Sequence, residues 1–90
     1  MKVCKYSISG RVQGVGFRYF TYGIAAKNEI YGYVRNMEDG TVEVVAQGED
    51  EKISNFEREL FQGPRWSFIQ EMKKETIEID TPYESFRITY

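Results

Sequence analysis

The sequence contains no histidine, a single cysteine (Cys4), only two prolines and no apolar run long enough to cross a bilayer. Without histidine the commonest general base and metal ligand is missing, which argues against serine triads and most zinc sites. One cysteine cannot close an internal disulfide, and no leader with an apolar centre opens the chain, so a reducing cytoplasm is the expected compartment. A net charge of −2 and a pI of about 5.2 leave no basic excess to neutralise a nucleic-acid backbone. Ninety residues suffice for one domain, 1–90, with a single core, but not for a second substrate-binding lobe. Any chemistry must therefore need little acid–base help, and any anion must be held by local groups.

What is present is a glycine-rich stretch, Ile8-Ser9-Gly10-Arg11-Val12-Gln13-Gly14-Val15-Gly16-Phe17-Arg18, between a strand pattern and a helix pattern. Over residues 2–10, Cys4, Tyr6 and Ile8 alternate with Lys5, Ser7 and Ser9, so the first set should face a core. From Phe17 to about Asn28 the positions Phe17, Phe20, Ile24 and Ala25 recur at helical spacing. Glycines 10, 14 and 16 allow the connection to curl with its N–H groups inward, and the following helix adds free N–H groups and its positive dipole end. Arg18 contributes a planar charge there. A cation at a helix start opposes the dipole unless an anion offsets it, which points to a ligand.

Residues 30–37 and 41–47 read as a hairpin. A three-residue loop of Glu38, Asp39 and Gly40 pairs Val34 with Val44 and keeps Val34, Val42, Val44 and Ala46 on one face, whereas a two-residue turn splits them. Gly40 is then left-handed, and Asn36 shares the face of Val34. Acidic residues 49–51 open a second helix over about 50–62, with Ile53, Phe56 and Leu60 inward and Gly63-Pro64 as its stop. A fourth strand should lie within 66–79, and a short last one near 85–90.

The order βαββαβ plus a short strand predicts two split βαβ units in one antiparallel sheet with both helices on one face. The first two strands then run parallel with the third between them, and both end at the same edge, about 10 Å apart. The 10–18 loop and Asn36 should meet there. Position 19 is Tyr, which breaks the dinucleotide fingerprint, and no Gly-Lys-Ser/Thr follows the glycines. Cys4 lies within the predicted core face, away from the loop, as a small hydrophobe. Arg11 and Arg35 read as solvated charges, Arg11 bordering the loop. Tyr31 and Tyr33, on the other sheet face, raise base stacking, but the acidic balance and the residues around them oppose it.

Over essentially its whole length the chain resembles the acylphosphatase family. Residues 8–18 resemble that family's phosphate-loop signature, and Gly32-Tyr33-Val34-Arg35-Asn36 with Gly40, Val42 and Gly48 resembles its second signature. Tyr33 stands where Trp is common, and Trp66-Ser67-Phe68 is bulkier than the small residues expected there. The resemblance implies a ferredoxin-like α+β sandwich, hydrolysis of acyl phosphates without metal or cofactor, and catalytic roles for Arg18 and Asn36. The expected phosphate cradle is the main chain of Gln13, Gly14, Val15, Gly16, Phe17 and Arg18. Expected partners are a small acyl phosphate and inorganic phosphate or sulfate as product or competitor, with no nucleic acid or membrane, in a monomer. A non-catalytic anion-binding module is the alternative. A detached domain of a larger carbamoyl-transferring enzyme is a third reading, against which the start at Met1 and the finished element before Tyr90 favour a free-standing protein.

Overall fold

Period-two alternation sends Cys4, Tyr6 and Ile8 inward, and in the computed structural model, which describes residues 1–90, all three are fully buried on β1 (Lys2–Arg11). The first helical stripe forms α1 (Phe17–Lys27), burying Phe17, Thr21, Ile24 and Ala25. Thr21 tolerates this polar-poor setting because its hydroxyl donates to Phe17 O at 2.8 Å. The hairpin forms as expected: β2 (Tyr31–Asn36) and β3 (Val42–Gly48) pair with Val34 opposite Val44. Gly40 has a φ of 93°. The second helix, α2 (Asp50–Gln62), carries Asp50 and Glu51 in its first turn and buries Ile53, Phe56 and Leu60. β4 (Phe68–Thr76) and β5 (Phe86–Thr89) complete the chain.

The sheet order is β4-β1-β3-β2-β5. Residues of both helices join Cys4, Tyr6, Ile8, Val34, Val42, Val44 and Ala46 in one cluster, so both helices cover the same face. Phe56 is completely buried, and truncating such a ring to alanine costs about 3–5 kcal/mol. This is the expected ferredoxin-like arrangement. One departure is that β5 pairs with β2 in parallel, Gly32 opposite Phe86 and Arg35 opposite Thr89, which makes the sheet mixed rather than wholly antiparallel. The reason is the connection. Residues 77–85 leave β4 at one edge and cross to the other, delivering the chain to the end of the sheet where β2 begins, so both strands run the same way.

That crossing also covers part of the open face. The buried Gln47 amide donates from Nε2 to Tyr83 O (3.0 Å) and accepts from Tyr83 N–H at Oε1 (2.8 Å), a side-chain copy of strand pairing. Beside it, Glu43 is buried among cations and a phenol: Arg35 Nε donates at 2.9 Å, Tyr33 OH at 2.7 Å, and Lys5 lies at 3.5 Å. Arg35 is therefore paired, not a free solvated charge. Burial opposes ionisation of Glu43, yet hydrogen bonds from Tyr33 and Arg35 and the charges of Arg35 and Lys5 hold its carboxyl below the usual range. Burial, then the hydrogen bond to Glu43, pushes the Tyr33 phenol up to about 12. Tyr83 stands edge-on to Tyr33 at 6.2 Å and Arg35 lies over its ring at 5.7 Å. Neighbours of its own chain thus hold the Tyr33 ring in place.

Candidate active site

The parallel course of β1 and β2, with β3 between, brings Arg11 and Asn36 to the same end of the sheet. The connection from β1 to α1 starts there. Gly14 and Gly16 have φ of 75° and 78°, left-handed values that a side chain rarely adopts, and no atom would meet a Cβ at either. Backbone conformation alone therefore demands glycine at these two positions. Gly10 acts differently. It lies inside β1 at a register shift where β4 approaches so closely that a Cβ would fall 2.1 Å from Phe68 O, so it shapes the strand pairing and not the curled turn.

The curl leaves a row of donors without acceptors. Among the turns, loops and caps, none of the main-chain N–H groups of residues 13–18 donates to protein, and the first bond into α1 runs from Phe20 N–H to Gly16 O at 3.0 Å. No side chain caps the helix and no acidic residue lies in its first turn. Free N–H groups and the helix dipole together favour a negative charge at this spot. Val15 and Phe17 anchor the turn from below, Phe17 fully buried and Val15 packed on the core.

Gln13 fastens the turn to the hairpin. Its Nε2 donates to Met37 O at 2.8 Å and to Thr41 O at 2.9 Å, tying the loop to the chain just beyond Asn36. Sequence reading assigned Gln13 only a main-chain part. A long amide side chain two residues beyond a strand was the available signal.

Arg18 lies in the first turn of α1, half-buried, its guanidinium 4.8 Å from the centre of the Tyr90 ring. No acceptor in the protein engages the guanidinium nitrogens, so its donors are free for an oxyanion. Tyr90 follows β5, whose Thr89 is opposite Arg35, and with Arg35, Asn36, Met37, Glu38 and Asp39 it lines a hollow of about 500 Å³. Tyr90 thus links Arg18 on one side to the surroundings of Asn36 on the other. The alternation of Phe86, Ile88 and Tyr90 marked a strand, but nothing in it named β2 as the neighbour. No group of three or more His, Cys, Asp or Glu residues is placed to hold a metal ion, and no helix is long and apolar enough to cross a membrane.

A curled main-chain turn with unengaged N–H groups thus stands at the head of a helix on a ferredoxin-like sandwich. Comparison with known proteins gives the family. The family described as Acylphosphatase matches residues 4–88. The acylphosphatase of Oceanobacillus iheyensis is 42% identical over 91 residues, covering 100% of both chains. The crystal structure of acylphosphatase from Bacillus subtilis superposes with a TM-score of 0.95 at 32% identity over 100% of both chains. HypF from T. kodakarensis gives 0.89 at 33% identity, over 100% of this chain and 12% of its own. The chain belongs to the acylphosphatase family, and its reaction is the hydrolysis of acyl phosphates to a carboxylate and inorganic phosphate.

Proposed function

We propose that the phosphoryl group sits in the 13–18 turn, bound by the N–H groups of Gln13, Gly14, Val15, Gly16, Phe17 and Arg18, with the Arg18 guanidinium gripping two of its oxygens. The supporting observation is the row of unengaged N–H groups beside a guanidinium that no carboxylate neutralises. Preorganised donors of this kind stabilise charge as it develops on the phosphoryl oxygens, without reorganisation during the reaction. Asn36 holds the attacking water in line. Its amide oxygen accepts from the water and its NH2 donates to a neighbouring oxygen, but it is too weak a base to take the proton, which passes to the phosphate itself.

So few groups suffice because the reaction asks for little. The leaving carboxylate has a conjugate-acid pKa of about 4, so it departs unprotonated. Phosphoryl transfer passes through a loose transition state, in which positioning and charge stabilisation outweigh activation of the nucleophile. On this reading the enzyme works without metal or cofactor, as a monomer in the cytoplasm, on small acyl phosphates, with phosphate or sulfate as competing anions.

The test is phosphate release from benzoyl phosphate by wild type and Arg18→Gln. Turnover and inhibition by inorganic phosphate should disappear together in the variant. Near-normal hydrolysis by Arg18→Gln would remove the guanidinium from the mechanism, and saturable phosphate binding without turnover in the wild type would make the chain a binding module.

A further inference from the structure

On the open face of the sheet, away from the 13–18 turn, a hollow of about 610 Å³ lies between the β2–β5 pair and the crossing segment 81–85. Its volume is in the range of small-ligand sites, although the hollow is open to solvent and not enclosed. Arg35 and Arg87 both line it. Tyr33 is opposite Arg87 and Arg35 opposite Thr89, so the two arginines rise from the same face of neighbouring strands, two residues out of step. With strands about 5 Å apart and about 3.3 Å per residue, both side chains can reach one point.

Each guanidinium is only partly used. Arg35 spends Nε on Glu43 at 2.9 Å, and Arg87 directs Nε to Ser85 Oγ at 3.4 Å. The Nη groups of both have no acceptor in the protein, and no carboxylate pairs with Arg87. Glu43 already serves Lys5 as well as Arg35, so this part of an acidic protein has a local excess of positive charge, with the exposed Glu84 at its rim. Two cations side by side repel each other unless an anion lies between them. Tyr33 and Tyr83 meet edge-on at 67° and form an aromatic corner next to them. The rim is held by the paired bonds between Gln47 and Tyr83.

We propose that this hollow is a second, non-catalytic site, taking a small organic oxyanion carried on a planar ring. The oxyanion bridges the Nη groups of Arg35 and Arg87, and the ring rests in the corner of Tyr33 and Tyr83. A carboxylate or a phosphomonoester meets this description, since either offers the paired oxygens that guanidinium edges recognise.

Titration of the ¹⁵N-labelled full chain with benzoate and, separately, with phenyl phosphate tests it. Saturable shifts are expected at the amides of Tyr33, Tyr83, Ser85 and Arg87 with at least one of the two probes, and the stronger binder identifies the preferred oxyanion. Arg87→Gln should weaken that binding about tenfold or more while leaving benzoyl phosphate hydrolysis unchanged. Arg18→Gln should leave the shifts in place, which separates this site from the catalytic turn. Shifts confined to residues 13–18 and 36, no shifts at all, or shifts at the hollow that persist in Arg87→Gln would each overturn the proposal.

Discussion

Replacing Gln13 with alanine removes the tie between the curled turn and the hairpin, and its cost can be worked out from the contacts. Two hydrogen bonds are lost, at 2.8 and 2.9 Å. Neither carbonyl is orphaned, because Met37 O keeps the N–H of Gly40 at 3.1 Å and Thr41 O keeps the N–H of Met37 at 2.8 Å. The loss is thus the net worth of two bonds, about 1–2 kcal/mol, with no added burial penalty. In a domain of this size that lowers Tm by about 5–15 °C. If the same free energy holds the turn in its anion-binding curl, kcat/KM falls about five- to thirtyfold. Gln13→Glu should be worse than alanine, since it aims carboxylate oxygens at two carbonyls. Thermal melts beside phosphate release from benzoyl phosphate provide the assay. Wild-type kcat/KM in a Gln13→Ala protein whose Tm has dropped would refute the reasoning, because the tie would then serve the fold without shaping the cradle.

Asn36→Ala should lower kcat by about 10²–10³ with the inhibition constant of inorganic phosphate nearly unchanged, as steady-state kinetics with added phosphate will show. Gly16→Ala forces a side chain into a left-handed φ of 78° without any clash, so it should cost about 1–2 kcal/mol, read as a lowered Tm with weaker phosphate inhibition. Glu43→Gln tests the polar cluster through pH. The folded carboxyl is held below its ordinary 4.5, so its contribution is fully present above that value and is lost as pH falls through the folded one. Urea melts should show wild type ahead by about 1 kcal/mol near pH 7 and the gap closing below about pH 4.

Most of the fold was legible because each element carries its own period. Cys4, Tyr6 and Ile8, the stripe Ile53–Phe56–Leu60, and the hairpin register that pairs Val34 with Val44 are local patterns that burial then obeyed. The site was legible to the extent that it is made of backbone: left-handed glycines at 14 and 16 are a sequence-level demand. Three features were not. The parallel docking of β5 depends on where residues 77–85 lead the chain, and no periodicity encodes which strand will be the neighbour. Gln13 drew attention as a main-chain donor, and the reach of its amide to Met37 and Thr41 became visible only with the hairpin in place. Arg35 reads as a surface charge although the register that pairs Val34 with Val44 already sets it opposite Glu43; the burial of Glu43, which makes the pair count, carries no local pattern.

The parallel strand at the sheet edge ties the state of the guanidinium to the completeness of the structure. Tyr90 reaches Arg18 only when β5 has zipped onto β2, joining regions as remote along the chain as Gly32 and Phe86. Distant pairings of this kind are slow to nucleate. During refolding, then, helices and hairpin can assemble while Arg18 still lacks its aromatic rest, and the recovery of full turnover should trail the return of helical signal.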